Sequence, residues 1–145
     1  MLNHPLHPAL VHFPIAFWCV ATLHDVGFTS GFINNGAFSW YCLILGCASA
    51  LLTMATGWID FSKLHTNLHG LAKRHMLLMT SAWMSYLVAL MTRTEHGAPV
   101  MPTWLSYVCS VTGFVLLLIG AWHGGELVYA HGAAVSTPAS TNGPN

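Results

Sequence analysis

The chain has 145 residues, 54% hydrophobic and only 6% charged, with a mean hydropathy of +0.59 and a formal net charge of zero. A soluble globular domain carries about a quarter charged residues, so this composition excludes one and points to the membrane. Four Lys or Arg against four Asp or Glu leave no basic surface, which excludes the electrostatic footprint of a nucleic-acid-binding protein.

A bilayer crossing takes about 20 apolar residues, and the segments 8–28, 38–61, 72–92 and 103–123 each reach that length. The expected fold is an all-α membrane protein, a four-transmembrane-helix bundle over residues 1–131. The tail 132–145, made of Ala, Ser, Thr, Pro, Gly, Asn and one Val, is expected to be disordered.

The first span opens with His4-Pro-Leu-His7-Pro-Ala-Leu-Val-His12-Phe-Pro14. Three imidazoles at a membrane boundary are costly, which makes them candidates for a site. Pro8 suits a first helical turn and biases His7 toward extended backbone. Pro14 cannot donate to the carbonyl of Leu10, so the backbone there must kink or find another donor. His12 is expected about one turn inside this span. No basic segment precedes the apolar run, so it reads as an uncleaved span rather than a signal peptide.

The second span carries Gly46, Ala50, Thr53, Gly57 and Asp60 at alternating spacings of four and three. This is a small-residue packing face that ends in a carboxylate. In the third, His75 lies about one turn in, beside Lys73 and Arg74, with Met79 on its face. The fourth carries Gly113, Gly120 and Gly124, with His123 and Glu126 at its end. Cys19, Cys42, Cys47 and Cys109 lack any C-x-x-C spacing and read as core residues. Trp18, Trp40, Trp58, Trp83, Trp104 and Trp122 read as an interfacial belt.

Four crossings bring one end of every span to the same side of the membrane. That side gathers His4, His7, His12, His65, His69, His75, His123 and His131, leaving His24 and His96 opposite. Lys63, Lys73 and Arg74 flank it, against Arg93 on the other side. The Lys and Arg bias of short loops therefore places this face, and both termini, in the cytoplasm.

Paired imidazoles at similar depth on different helices suit bis-histidine haem b. His12 and His75 are the expected first pair of iron ligands, with His7, His123 and His131 available for a second. Asp60 and Glu126 could orient imidazoles or carry protons, as a quinone reaction requires. The reading is thus a membrane-embedded b-type haem protein for electron transfer, holding one or two haems and exchanging electrons with a quinone, a small oxidant or a redox partner protein. A haem-dependent oxidoreductase is one form of it, and a homodimer is left open. Two alternatives remain at this point. One is a Zn, Cu or Fe site built from the same histidines for transport or sensing, and the other is a structural subunit of a membrane complex.

The opening H-P-L-H-P-A-L-V-H-F-P-I, the G-W-I-D-F from Gly57, the R-H at Arg74 and His75, and the closing G-G-E-L-V-Y-A-H-G from Gly124 resemble the DUF2231 family of small bacterial four-helix membrane proteins. The likeness runs from His4 to about Val135. The family's closing motif has a basic residue where this chain has Ala130. The resemblance implies a bacterial inner-membrane location. It also implies redox chemistry, since some relatives are fused to Rieske iron-sulfur domains, and it singles out His4, His7, His12, His75 and His131.

Overall fold

The computed structural model describes residues 6–133, so His4 and most of the expected disordered tail lie outside the described residues. The described chain forms helices α1 (Leu6–Leu10), α2 (His12–Thr29), α3 (Ala37–Ser62), α4 (His69–Met91) and α5 (Trp104–Gly125). A 3₁₀ turn, Thr66–Leu68, precedes α4, and a π-helical turn, Glu126–Ala130, continues α5.

α1 and α2 form one span interrupted at Val11. Pro14 supplies no N–H to the carbonyl of Leu10, and the hydroxyl of Thr53, from α3, lies 3.4 Å from that carbonyl and 3.0 Å from the Ser49 carbonyl of its own helix. A polar group freed inside a membrane helix thus shares a hydroxyl of a neighbouring one. The α1–α2 span, α3, and α5 with its π turn are each long and apolar enough to cross a membrane. α4 has 23 residues but opens with His69, Lys73, Arg74 and His75, and it is the least apolar of the four. Large aliphatic side chains such as Leu23, Leu52, Leu77 and Leu118 point outward, the opposite of a water-soluble bundle.

α2 runs along α3 and α4 along α5, giving two helical hairpins packed side by side. The hairpins repeat one plan. His7, Trp18 and Asp25 recur 68 positions later as His75, Tyr86 and Arg93, and Ser39, Gly46 and Gly57 recur 67 positions later as Ser106, Gly113 and Gly124. Equivalent glycines do equivalent work. A Cβ on Gly46 would lie 2.6 Å from the Trp18 ring, and one on Gly113 would lie 2.9 Å from that of Tyr86. The two rings stack on each other in the middle of the bundle, centroids 4.8 Å apart and 10° from parallel. The Thr22 hydroxyl donates to the Trp18 carbonyl and accepts from the Tyr86 hydroxyl, both at 2.9 Å.

Beyond the stacked rings, Asp25 meets Arg93 in a forked ion pair of 2.9 and 2.8 Å. Arg93 also donates to Ser39 at 2.9 Å and, through Nε and Nη2, to Ser106, while Ser110 donates to Asp25 at 3.2 Å. All five guanidinium donors have acceptors, the condition under which a charge can be buried. Arg93 is 0% exposed, which corrects its reading as a loop cation. The chain turns it inward through a two-residue β-hairpin, Thr94–Glu95 with Ala98–Pro99. His96 and Gly97 at the tip of that hairpin have φ of 50° and 78°, the left-handed pair of a type I′ turn. Removing either charge would leave the other buried and unpaired, at a cost of about 3–5 kcal/mol.

The tryptophan belt also needs correcting. Trp58, Trp104 and Trp122 are exposed, as interfacial rings should be. Trp18 and Trp40 are buried and Trp83 half-buried. The indole of Trp40 donates to the Thr94 hydroxyl at 2.8 Å and that of Trp83 to the Cys47 carbonyl at 3.2 Å, so internal acceptors hold these rings inside.

Candidate functional site

At the end of the bundle away from Arg93, the repeat places one histidine in each hairpin. His7 lies over α3 where Gly57 has no side chain, and a Cβ there would come within 2.9 Å of the imidazole Cε1. In this seat its Nδ1–H donates to the Thr53 carbonyl at 2.9 Å. His75, on α4, lies over Gly124 of α5, where a Cβ would again fall 2.9 Å from Cε1. Its Nδ1–H donates to the Gly120 carbonyl at 2.8 Å. A carbonyl can only accept, so in a neutral ring each bond fixes the proton on Nδ1 and leaves Nε2 with its lone pair. Metal-ligating histidines characteristically have their second nitrogen tied in this way.

Both imidazoles line one cavity of about 1020 Å³, at the upper end of the roughly 300–1,000 Å³ typical of small-molecule sites. Trp18, Met79 and Trp83 line its deeper part, and Asp60 and Lys63 lie where α3 ends. The volume, the mainly apolar walls and two imidazoles already engaged through Nδ1 leave room for a bulky, largely apolar group between or beside the rings.

The other expected site residues are placed differently. His12 borders the cavity, but it is exposed and turns Nδ1 toward the Ala9 carbonyl of its own segment at 3.3 Å. Asp60 is half-buried on the cavity wall. His123 Nδ1 lies 3.5 Å from a Glu126 carboxylate oxygen, and neither residue borders the cavity. His131 is exposed beyond the π turn. His69 donates to the Leu64 carbonyl at 3.1 Å and packs on Phe61, while His24 packs on Phe38 at the opposite end. Among the described residues, no three His, Cys, Asp or Glu side chains are grouped to share a metal ion.

Depth along the helix favours His12 over His7 but says nothing of the glycine that a ring needs beneath it, and neither Asp25 nor the repeat stands out from hydropathy alone. A signal for both was present: His-x₁₀-aromatic-x₆-charge occurs at His7 and again at His75, and Ser-x₆-Gly-x₁₀-Gly occurs at Ser39 and again at Ser106.

These features define a helical membrane protein built from two equivalent hairpins, with a histidine-lined cavity at one end. The chain belongs to the family described as Predicted membrane protein (DUF2231), whose profile matches residues 3–137. No curated protein and no solved structure matches it.

The anchoring can be read directly from ring nitrogens. In ¹⁵N-histidine-labelled protein, His7 and His75 should show protonated Nδ1 and unprotonated Nε2. Gly57→Val should disturb His7 alone and Gly124→Val should disturb His75 alone. Protonated Nε2 at both rings of the unmodified protein would contradict the assigned bonds.

Proposed function

We propose that this protein is a b-type haem carrier of the bacterial inner membrane, with His7 and His75 as the two iron ligands. One observation carries the reading: two equivalent imidazoles, each fixed through Nδ1 to a backbone carbonyl, border one large cavity, with no hydrogen bond to Nε2 among the described residues. A bound haem would supply a one-electron iron couple. With an imidazole from each hairpin on the iron, no position is left for a small oxidant, which favours electron transfer over oxygen chemistry. His12 then lies at the edge of the cavity rather than on the iron.

Haem-loaded protein should show a Soret band with resolved α and β bands on reduction. His7→Ala and His75→Ala should each abolish the six-coordinate spectrum, whereas His24→Ala and His96→Ala should leave it unchanged. Retention of that spectrum by both cavity variants would sink the ligand assignment.

The orientation follows from the exposed cations. With Arg93 buried against Asp25, Lys63, Lys73 and Arg74 are the exposed basic side chains among the described residues, all at the histidine end. They would keep that end cytoplasmic, with α4 as the fourth crossing. Its charged residues sit within its first two turns, where long side chains reach the interface. A reporter active only in the periplasm, fused after Asn145, should be silent, and strong activity would reverse the orientation.

Quinol is the proposed electron donor, and Asp60 its proton acceptor. A quinol that gives up an electron must also release a proton, and Asp60 is a carboxylate on the cavity wall without an ion-pair partner among the described residues. Glu126, paired with His123, is the weaker candidate. Asp60→Asn should slow reduction by quinol at least several-fold without altering the haem spectrum. Equal rates in the two proteins would remove Asp60 from the reaction.

A further inference from the structure

We propose that Asp25 and Arg93 are a positioning pair for the cavity, which by clamping α2 to α4 at the far end of the bundle fixes the span between His7 and His75 at the near end. The clamp itself is independent of the ligand. Only its consequence for iron ligation rests on the haem reading.

The side chains of α2 and of the α4 segment touch through the Trp18–Tyr86 stack, the Thr22–Tyr86 hydrogen bond and the Asp25–Arg93 pair. The ion pair lies toward the end of the bundle opposite the two histidines, which border the cavity. On α4, an uninterrupted helix, His75 stands 11 residues before Tyr86 and Arg93 stands 7 after it. At 1.5 Å per residue these arms are about 16 Å and about 10 Å. With the ring stack as pivot, a shift of about 1 Å at Arg93 becomes about 1.6 Å at His75. His75, bonded to α5, moves with the α4–α5 hairpin, whereas His7, bonded to α3, stays with the other hairpin. The span between the rings therefore responds to the ion pair, and a ligand held by both nitrogens is sensitive to displacements of this size.

The clamp also reaches every other helix at that end. Arg93 follows α4 after Thr92 and bonds Asp25 of α2, Ser39 of α3 and Ser106 of α5. Asp25 and Arg93 occupy equivalent places in the two hairpins, as do Ser39 and Ser106. Two equal charges there would repel across the bundle, so the clamp depends on the two repeats differing in charge at this one place. The near-symmetry has a further consequence: with the charges exchanged, an arginine at position 25 would find Ser106 where Arg93 finds Ser39, and Ser39 where Arg93 finds Ser106.

The test uses the full chain with its four cysteines replaced by Ala and spin labels on Ala9→Cys and Leu77→Cys, two exposed positions next to the histidines. Arg93→Lys keeps the charge but lacks the planar fork and two of the five donors that meet Asp25, Ser39 and Ser106. It should shift or broaden the label distance by about 1–2 Å, and the exchange Asp25→Arg with Arg93→Asp should restore the original distribution. A folded Arg93→Lys protein with an unchanged distribution overturns the proposal. If that variant does not fold, Ser39→Ala, which removes one acceptor and leaves the ion pair, is read against the same two outcomes. In haem-loaded protein the same variants should move the low-spin EPR signal. A shifted label distance in protein that takes up no haem would defeat the haem reading while leaving the clamp in place.

Discussion

The structure depends on backbones approaching closely enough for a ring to rest on the bare backbone of a neighbouring helix. Gly46, Gly57, Gly113 and Gly124 each stand beneath an aromatic or imidazole ring that a single methyl group would displace. In lipid there is no strong hydrophobic drive between helices, so association rests on such close packing and on internal hydrogen bonds. The four contacts form two equivalent pairs. Trp18 and Tyr86 sit in the middle and are drawn together, whereas His7 and His75 sit at one end and border a cavity.

Most buried polar side chains among the described residues are engaged, with Trp18 Nε1, His24 Nδ1 and His123 Nδ1 as exceptions. The carbonyl that Pro14 leaves without a donor is approached by Thr53, whose own carbonyl holds His7. One threonine on α3 thus links a proline interruption to the anchoring of a histidine. Arg93 uses every donor it has. Where an unpaired group costs several kcal/mol, these networks define the helix positions more sharply than apolar contacts do, because a hydrogen bond fails over a few tenths of an ångström.

The cavity combines fixed and open features. Two nitrogens are fixed by carbonyls on different hairpins, and the walls are mainly apolar. Polar side chains such as Asp60 and Lys63 lie where α3 ends. The π-helical turn after Gly125 contributes Leu127 and Val128 to the wall, and turns of this kind occur often at functional sites. A ligand gripped by both histidines would add to the tie between the two hairpins at the end where residues 63–68 already connect α3 to α4.

The sequence by itself determined a helical membrane protein, since 6% charge cannot cover a soluble surface. It also determined which end of the bundle is rich in histidine, because hydrophobic length and connectivity decide both. The compensation at Pro14 was legible too, as a proline has no N–H wherever it stands. Only the tertiary structure decided that His7, and not His12, is seated over a bare glycine of a neighbouring helix as His75 is. That choice turns on Gly57 and on the Thr53 carbonyl, which belong to another helix. Likewise, a charge near a span end reads as a loop residue until its partner is seen. Asp25 and Arg93 are 68 residues apart in the chain and 2.8 Å apart in the bundle, and such a pairing lies in no local pattern, only in the packing of one hairpin against the other.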